Sequence, residues 1–248
     1  MRSYRGIFLI IGTLLLLTAC SGDSATADEI PQAAGDDWVD TELNELNDKI
    51  SNTEDRAEKL AIDIQLLQEG RSFSDVRTNF YAFEEIEYLT SLSVINGYSD
   101  GTFKPNNSIT RGQTATMLVR ELGLTAPSDY ELQAVDVSPN HANIEALRIA
   151  EYNKIMTGNN GKLTPGNPLT RSQMARVLVR AYPNKIPETD NHYTFTDIQE
   201  GDSGYTEVNR IADSRITTQV NTAYRPNEST SRAQFSIFIS RTINEDFR

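Results

Sequence analysis

Three arginines occupy the same local setting. Thr110-Arg111, Thr170-Arg171 and Ser231-Arg232 are each followed, two residues after the arginine, by Gln113, Gln173 and Gln234. A guanidinium is a permanently charged planar fork that meets carboxylates and phosphates through paired hydrogen bonds. The hydroxyl residue and the glutamine three places on read as a capping box, which opens a helix. Each arginine then stands at the positive end of a helix dipole, where an exposed cation is disfavoured by about 0.3–1 kcal/mol. One explanation is an anion site, built from the fork and the exposed N–H groups of the helix start. The other is an internal salt bridge to Asp75, Asp136 or Asp197. The residues alone weigh the two evenly. A second set, Arg120, Arg180 and Arg241, falls near the ends of the same helices, where the dipole favours a cation and a structural role is expected.

Other chemistry is scarce. Two histidines and one cysteine give no zinc cluster and no Cys/His nucleophile pair. Turn sequences such as Ser99-Asp100-Gly101 lack EF-hand spacing. No catalytic domain remains once the segments below are assigned, so a non-enzyme without cofactor or metal is expected. A net charge of -12 argues against nucleic acid, which needs a basic face. Any anionic ligand must be held by a few well-placed cations.

The lone cysteine has its own setting. Arg2 and Arg5 precede an apolar run, Ile7 to Leu17, which ends in Leu17-Thr18-Ala19-Cys20. A basic start, a short apolar core and a small-residue cleavage site define an export signal. The final four residues resemble a bacterial lipobox. That resemblance implies a signal peptide over 1–19, lipid on Cys20 and anchoring on the outer face of the plasma membrane, or in an outer membrane if the host has one.

The elements that position the arginines can be read from periodicity. Residues 20–36 are a polar, small-residue linker. Over 37–70, apolar or small residues fall at Val39, Leu43, Leu46, Ile50, Thr53, Ala57, Leu60, Ile64 and Leu67. Alternating steps of four and three make this a heptad seam, which predicts a coiled-coil helix, either self-associating or packed on the chain's own globular part. Asp36 and Asp37 suit its start and Gly70 its stop.

Three repeats follow. The aspartates of Phe73-Ser-Asp75-Val76, Val135-Asp136-Val137 and Phe195-Thr-Asp197-Ile198 lie 61 and 61 residues apart. Each is followed by an apolar-spaced helix, a turn-rich loop ending in Pro105, Pro165 or Pro226, and the capped arginine helix. One such unit cannot bury a core, so the three should pack together.

Phe73-Ser-Asp-Val, Ile95-Asn-Gly-Tyr-Ser-Asp-Gly-Thr-Phe-Lys-Pro105 and Ile109-Thr-Arg-Gly-Gln113 resemble an S-layer homology repeat. Ile155-Met-Thr-Gly158-Asn-Asn-Gly161-Lys-Leu-Thr-Pro165 is a looser second copy, and Thr217-Thr-Gln-Val-Asn-Thr-Ala-Tyr-Arg-Pro226 a divergent third. The resemblance covers residues 71–125, 132–184 and 193–246. It implies an all-α fold with a pseudo-threefold bundle of helix–loop–helix repeats. It also implies non-covalent binding of cell-wall polysaccharide, often pyruvylated, in grooves between repeats. By matching position the glycan-binding candidates are Gly97, Tyr98, Asp100, Gly101 and Arg111 in repeat one, Gly158, Gly161 and Arg171 in repeat two, and Arg232 in repeat three. Tyr81 stands where the family usually has tryptophan, and Ala142 and Ser203 stand there in the other copies. Repeat one, with its full loop and Tyr81, is therefore expected to carry the principal site, with Arg111 as its cation. The alternative is a scaffold that presents the bundle to another protein without binding glycan.

Overall fold

A computed structural model describes residues 36–248. The export signal, Cys20 and nearly all of the linker lie outside the described residues. The described chain is all-α, as the repeat pattern predicts, with seven α-helices, a 3-10 turn at Glu245–Phe247 and no strand. No helix among the described residues is long and apolar enough to cross a membrane.

The chain falls into two units, Met1–Asp55 and Arg56–Arg248, and the division lies inside the first helix, α1 (Asp36–Gln68). Gly70 ends α1 as its position predicts. It takes a left-handed φ of +64°, and Arg71 N–H donates to the Leu66 carbonyl at 2.9 Å. Those two features are the marks of a Schellman stop. The heptad seam is uncovered: Val39, Leu43, Leu46, Ile50, Leu60, Ile64 and Leu67 are between 41 and 78 % exposed. Among the described residues of α1 only Leu66, off the seam, is buried.

In the second unit each repeat contributes two helices: α2 (Phe83–Ser91) and α3 (Arg111–Glu121), α4 (Ile144–Tyr152) and α5 (Arg171–Ala181), α6 (Tyr205–Asp213) and α7 (Arg232–Ile243). The helices pair between repeats, α3 on α4, α5 on α6 and α7 back on α2. One core runs through all three, with Ile86, Leu89, Leu147, Leu178, Val208, Ile211 and Phe235 all but fully buried.

The repeats are tied by a closed backbone ring. Ile109 N–H donates to the Thr230 carbonyl, Thr230 N–H to that of Leu169, and Leu169 N–H to that of Ile109, at 2.8–2.9 Å. Ile109 and Leu169 bring apolar side chains to this ring, whereas Thr230 brings a fully buried hydroxyl with no hydrogen-bond partner among the described residues. An unpaired buried hydroxyl costs on the order of 1–3 kcal/mol. Thr230→Val keeps the shape and removes that cost, so urea unfolding should show about 1 kcal/mol of added stability.

Candidate functional site

The three capping boxes form as the sequence predicts: the Thr110, Thr170 and Ser231 hydroxyls accept from the Gln113, Gln173 and Gln234 backbone N–H, and each glutamine side chain accepts in return. The next N–H groups are not exposed, however, which corrects the expectation of an open helix start. Arg111 and Gly112 donate to the Asn167 and Pro165 carbonyls, Arg171 and Ser172 to those of Glu228 and Pro226, and Arg232 and Ala233 to those of Asn107 and Pro105. Each helix start is plugged by the loop of another repeat. Gly112 belongs to this junction, since a Cβ there would lie 2.8 Å from Asn143 Oδ1 and 3.2 Å from the Pro165 carbonyl.

The arginines follow the same handover. Arg111 Nε donates to the Leu163 carbonyl at 2.6 Å, Arg171 Nε to that of Tyr224 at 2.7 Å and Arg232 Nε to that of Phe103 at 2.7 Å. The same loops are gripped from their other side by the repeat aspartates. Asp75 accepts from the Phe103 and Lys104 N–H groups, Asp136 from Leu163 and Thr164, and Asp197 from Tyr224 and Arg225, all at 2.7–2.9 Å. Burial pushes the Asp136 carboxyl up, but the Leu163 and Thr164 hydrogen bonds outweigh it and hold the group below its usual range. This clamp holds Lys104, Thr164 and Arg225 in left-handed conformations (φ +56°, +46° and +62°), which non-glycine residues rarely adopt. Arginine and aspartate therefore hold neighbouring groups of one loop and form no direct salt bridge among the described residues, which answers the salt-bridge alternative.

What differs among the three arginines is the rest of the fork. Arg232 is 3 % exposed, donates Nη2 to the Asn96 carbonyl at 2.9 Å and lies over the rings of Phe103 and Tyr98. Arg171 is 4 % exposed, donates Nη2 to Gln219 Oε1 and lies over the Tyr224 ring. Arg111 is only partly buried, and its Nη1 and Nη2 make no hydrogen bond among the described residues.

That free fork opens onto a groove with a cavity of about 710 Å³. Its lining includes Arg111 of repeat one, Gly158, Asn159 and Lys162 of the second loop, and Gln173, Arg176 and Arg180 of α5. Arg176 donates to Ser203 Oγ at 2.7 Å and approaches Glu207 at 3.7 Å, and Arg180 donates to Thr157 Oγ1 at 3.1 Å. Burial lowers the Arg111 pKa, the Asp136 carboxylate opposes this, and Arg176 and Arg180 reinforce it. Arg180 is lowered by burial and then by Arg176, with Glu207 opposing. The groove thus gathers four cations, and an anionic ligand would relieve the repulsion among its three arginines. Gly158 is required here: its φ is +65° and a Cβ would lie 2.5 Å from the Lys162 carbonyl.

The expected partnership of Arg111 with the Gly97–Gly101 loop does not form, because each arginine reaches into a loop other than its own. Tyr98 instead lies beside Arg232, where Lys104 Nζ stands 4.2 Å from the ring centroid and Gln113 Nε2 3.4 Å from the hydroxyl. Asp100 braces its own turn: hydrogen bonds from the Thr102 hydroxyl and then Lys104 hold its carboxyl down to about 2. Gly97 sits against Phe73, whose ring a Cβ would meet at 2.4 Å. Gly101 and Gly161 supply left-handed turns (φ +76° and +71°). Tyr81 is exposed and lies against Phe80 in a tilted pair, with ring centroids 4.5 Å apart. The second groove, about 200 Å³, contains Arg171, Gln219 and Arg241.

Sequence reasoning missed Lys162, Arg176 and Arg180 as groove residues. The dipole argument explained Arg180 too early. Arg176 carried a signal of its own: Thr116 and Ile237 stand at the matching positions, five residues after Arg111 and Arg232.

The S-layer homology domain model matches residues 72–115, 135–175 and 194–236, together just over half of the chain. The chain is 37% identical over 127 residues to an endoglucanase of Bacillus sp. (strain KSM-635), covering 49% of this chain and 13% of that protein. It is 25% identical to the S-layer protein sap of Bacillus anthracis, covering 70% of this chain and 21% of that protein. An uncharacterised cell wall amidase of Bacillus anthracis is 27% identical, covering 71% of this chain and 33% of that protein. The chain therefore spans a third or less of these three relatives. The matched segments contain the three aspartate clamps, the three capping boxes and the three arginines described above, and by them the chain belongs to the S-layer homology domain family.

Proposed function

We propose that this protein binds an acidic cell-wall polysaccharide non-covalently in the groove between Arg111 and α5, and that lipid on Cys20 ties the same chain to a membrane. The free Arg111 fork, set among Lys162, Arg176 and Arg180, is the observation that carries this reading. A carboxylate on the polymer, such as a pyruvyl ketal, would accept from the fork. The cyclic pairing of helices supports a pseudo-threefold arrangement with three inter-repeat grooves. The names of the S-layer and cell wall amidase relatives support a place in the cell envelope and a wall partner. The role is tethering and not catalysis. The exposed α1 seam would let chains self-associate.

A scaffold without glycan binding is favoured at Arg171 and Arg232, where Gln219 and the Asn96 carbonyl already take one terminal nitrogen of each fork. Mixing the exported chain with purified wall sacculi tests the two readings. Binding that disappears when the acidic secondary polymer is stripped supports tethering, and no binding to intact sacculi leaves the scaffold. Cys20→Ala should move the protein from the membrane to the soluble exported fraction.

Gln219 stands where the second loop has Gly158, so it works as an internal substitute for ligand. Gln219→Gly should free the Arg171 fork and raise binding stoichiometry from one to two sites per chain by titration calorimetry. An unchanged stoichiometry would mean that the second groove is closed by more than this side chain.

A further inference from the structure

The seam of α1 supports a statement about how chains would pair. Its apolar side chains lie along one face of a 33-residue helix and are left largely uncovered, while the helix turns the off-seam Leu66 inward. A helix of this kind is marginal by itself, and most of its stability must come from covering its apolar face. The face that packs within the chain and the face left open are therefore different.

From this open seam we infer that two copies of this chain pair side by side and in parallel along α1. The inference rests on the self-association proposed above and adds its orientation and number. The seam gives Leu43, Ile50, Ala57 and Ile64 one set of core seats and Val39, Leu46, Thr53, Leu60 and Leu67 the other. Isoleucine in the first set with leucine in the second favours two parallel strands. The flanking charges select the same direction. Parallel pairing sets Lys49 of one copy beside Glu54 of the other, twice, and brings no like charges together: Glu42 meets Asn47, Arg56 meets Ala61 and Asp63 meets Gln68. Antiparallel pairing that overlaps the seam end to end sets Glu42 beside Asp63 and Lys49 beside Arg56, which repel. Lys49 holds Glu45 of its own helix at 3.4 Å, an exposed contact that it can exchange for the partner's Glu54. Thr53 turns its hydroxyl back to the Lys49 carbonyl at 2.7 Å, so the hydroxyl is already partnered within its own helix.

The mature chain, residues 20–248 with Cys20→Ser, tests this by sedimentation equilibrium and by oxidative cross-linking of a single Leu46→Cys. The expected result is a mass twice that of the chain, with nearly complete 46–46 disulfide. Leu46→Glu with Ile50→Glu should halve the mass and leave the far-UV signal of the repeats in place. A monomeric wild-type chain would overturn self-association altogether. A trimer, or a dimer that forms no 46–46 disulfide, would overturn only the parallel two-stranded geometry, since antiparallel pairing places residue 46 opposite residue 57.

Discussion

Arg111→Ala should lower the affinity of the full chain for acidic wall polymer by about ten- to a hundred-fold, the loss of a charge-assisted hydrogen bond of roughly 1.5–3 kcal/mol. The effect arises because Arg111 is the one arginine of the three whose terminal nitrogens have no partner among the described residues, and because the groove they enter holds Arg176 and Arg180 as well. Arg180→Ala, which removes only the Thr157 hydrogen bond from the fold, should lower affinity in the same direction. Arg111→Lys should recover only part of the loss, because an ammonium meets a carboxylate as a point charge and not as a fork. Calorimetric titration with soluble polymer checks all three, and circular dichroism shows whether each variant remains folded. Wild-type affinity in folded Arg111→Ala and Arg180→Ala variants would make the cation cluster an ordinary solvated surface.

The second large effect is on stability. Arg232→Ala should destabilise the repeats by at least about 1–3 kcal/mol, because the buried Phe103 carbonyl would lose its donor, and loss of the partly buried hydrogen bond to the exposed Asn96 carbonyl adds to this. Domains of this size are stable by about 5–15 kcal/mol, so the variant should stay folded with a clearly smaller margin. Arg232→Lys should recover little, since one ammonium cannot serve two diverging carbonyls and the ring contacts as the fork does. Arg111→Ala, which loses a single carbonyl contact, should cost clearly less. Urea unfolding of the two alanine variants checks this, and equal losses would contradict it. One motif residue thus has two settings, tied into a neighbouring loop at Arg232 and open to the groove at Arg111.

The sequence makes the elements legible and the handover between them illegible. Thr110 with Gln113, Thr170 with Gln173 and Ser231 with Gln234 mark three helix starts because a capping box is a local device, complete within four residues. Gly70 marks the end of α1 for the same reason. The partner of each arginine is not local. Arg111 meets a loop 52 residues on, Arg171 one 53 residues on, and Arg232 one 129 residues back. Repeat spacing fixes which positions are equivalent without saying whether a helix start inserts into its own loop or another. Assigning Gly97, Tyr98 and Asp100 to Arg111 took the nearer loop, and the fold takes the farther one. The contact of Gln219 with Arg171 is equally hidden, since a lost glycine reads as decay until its replacement is seen on Arg171.

Hydrogen exchange along the full chain, with and without soluble wall polymer, bears most directly on the central claim that Arg111, the second loop and α5 form the ligand groove. Protection should appear at residues 155–164 and 171–181, with little change at 95–104 and 216–225. Protection confined to 95–104, or a chain whose exchange the polymer leaves unchanged, would contradict it.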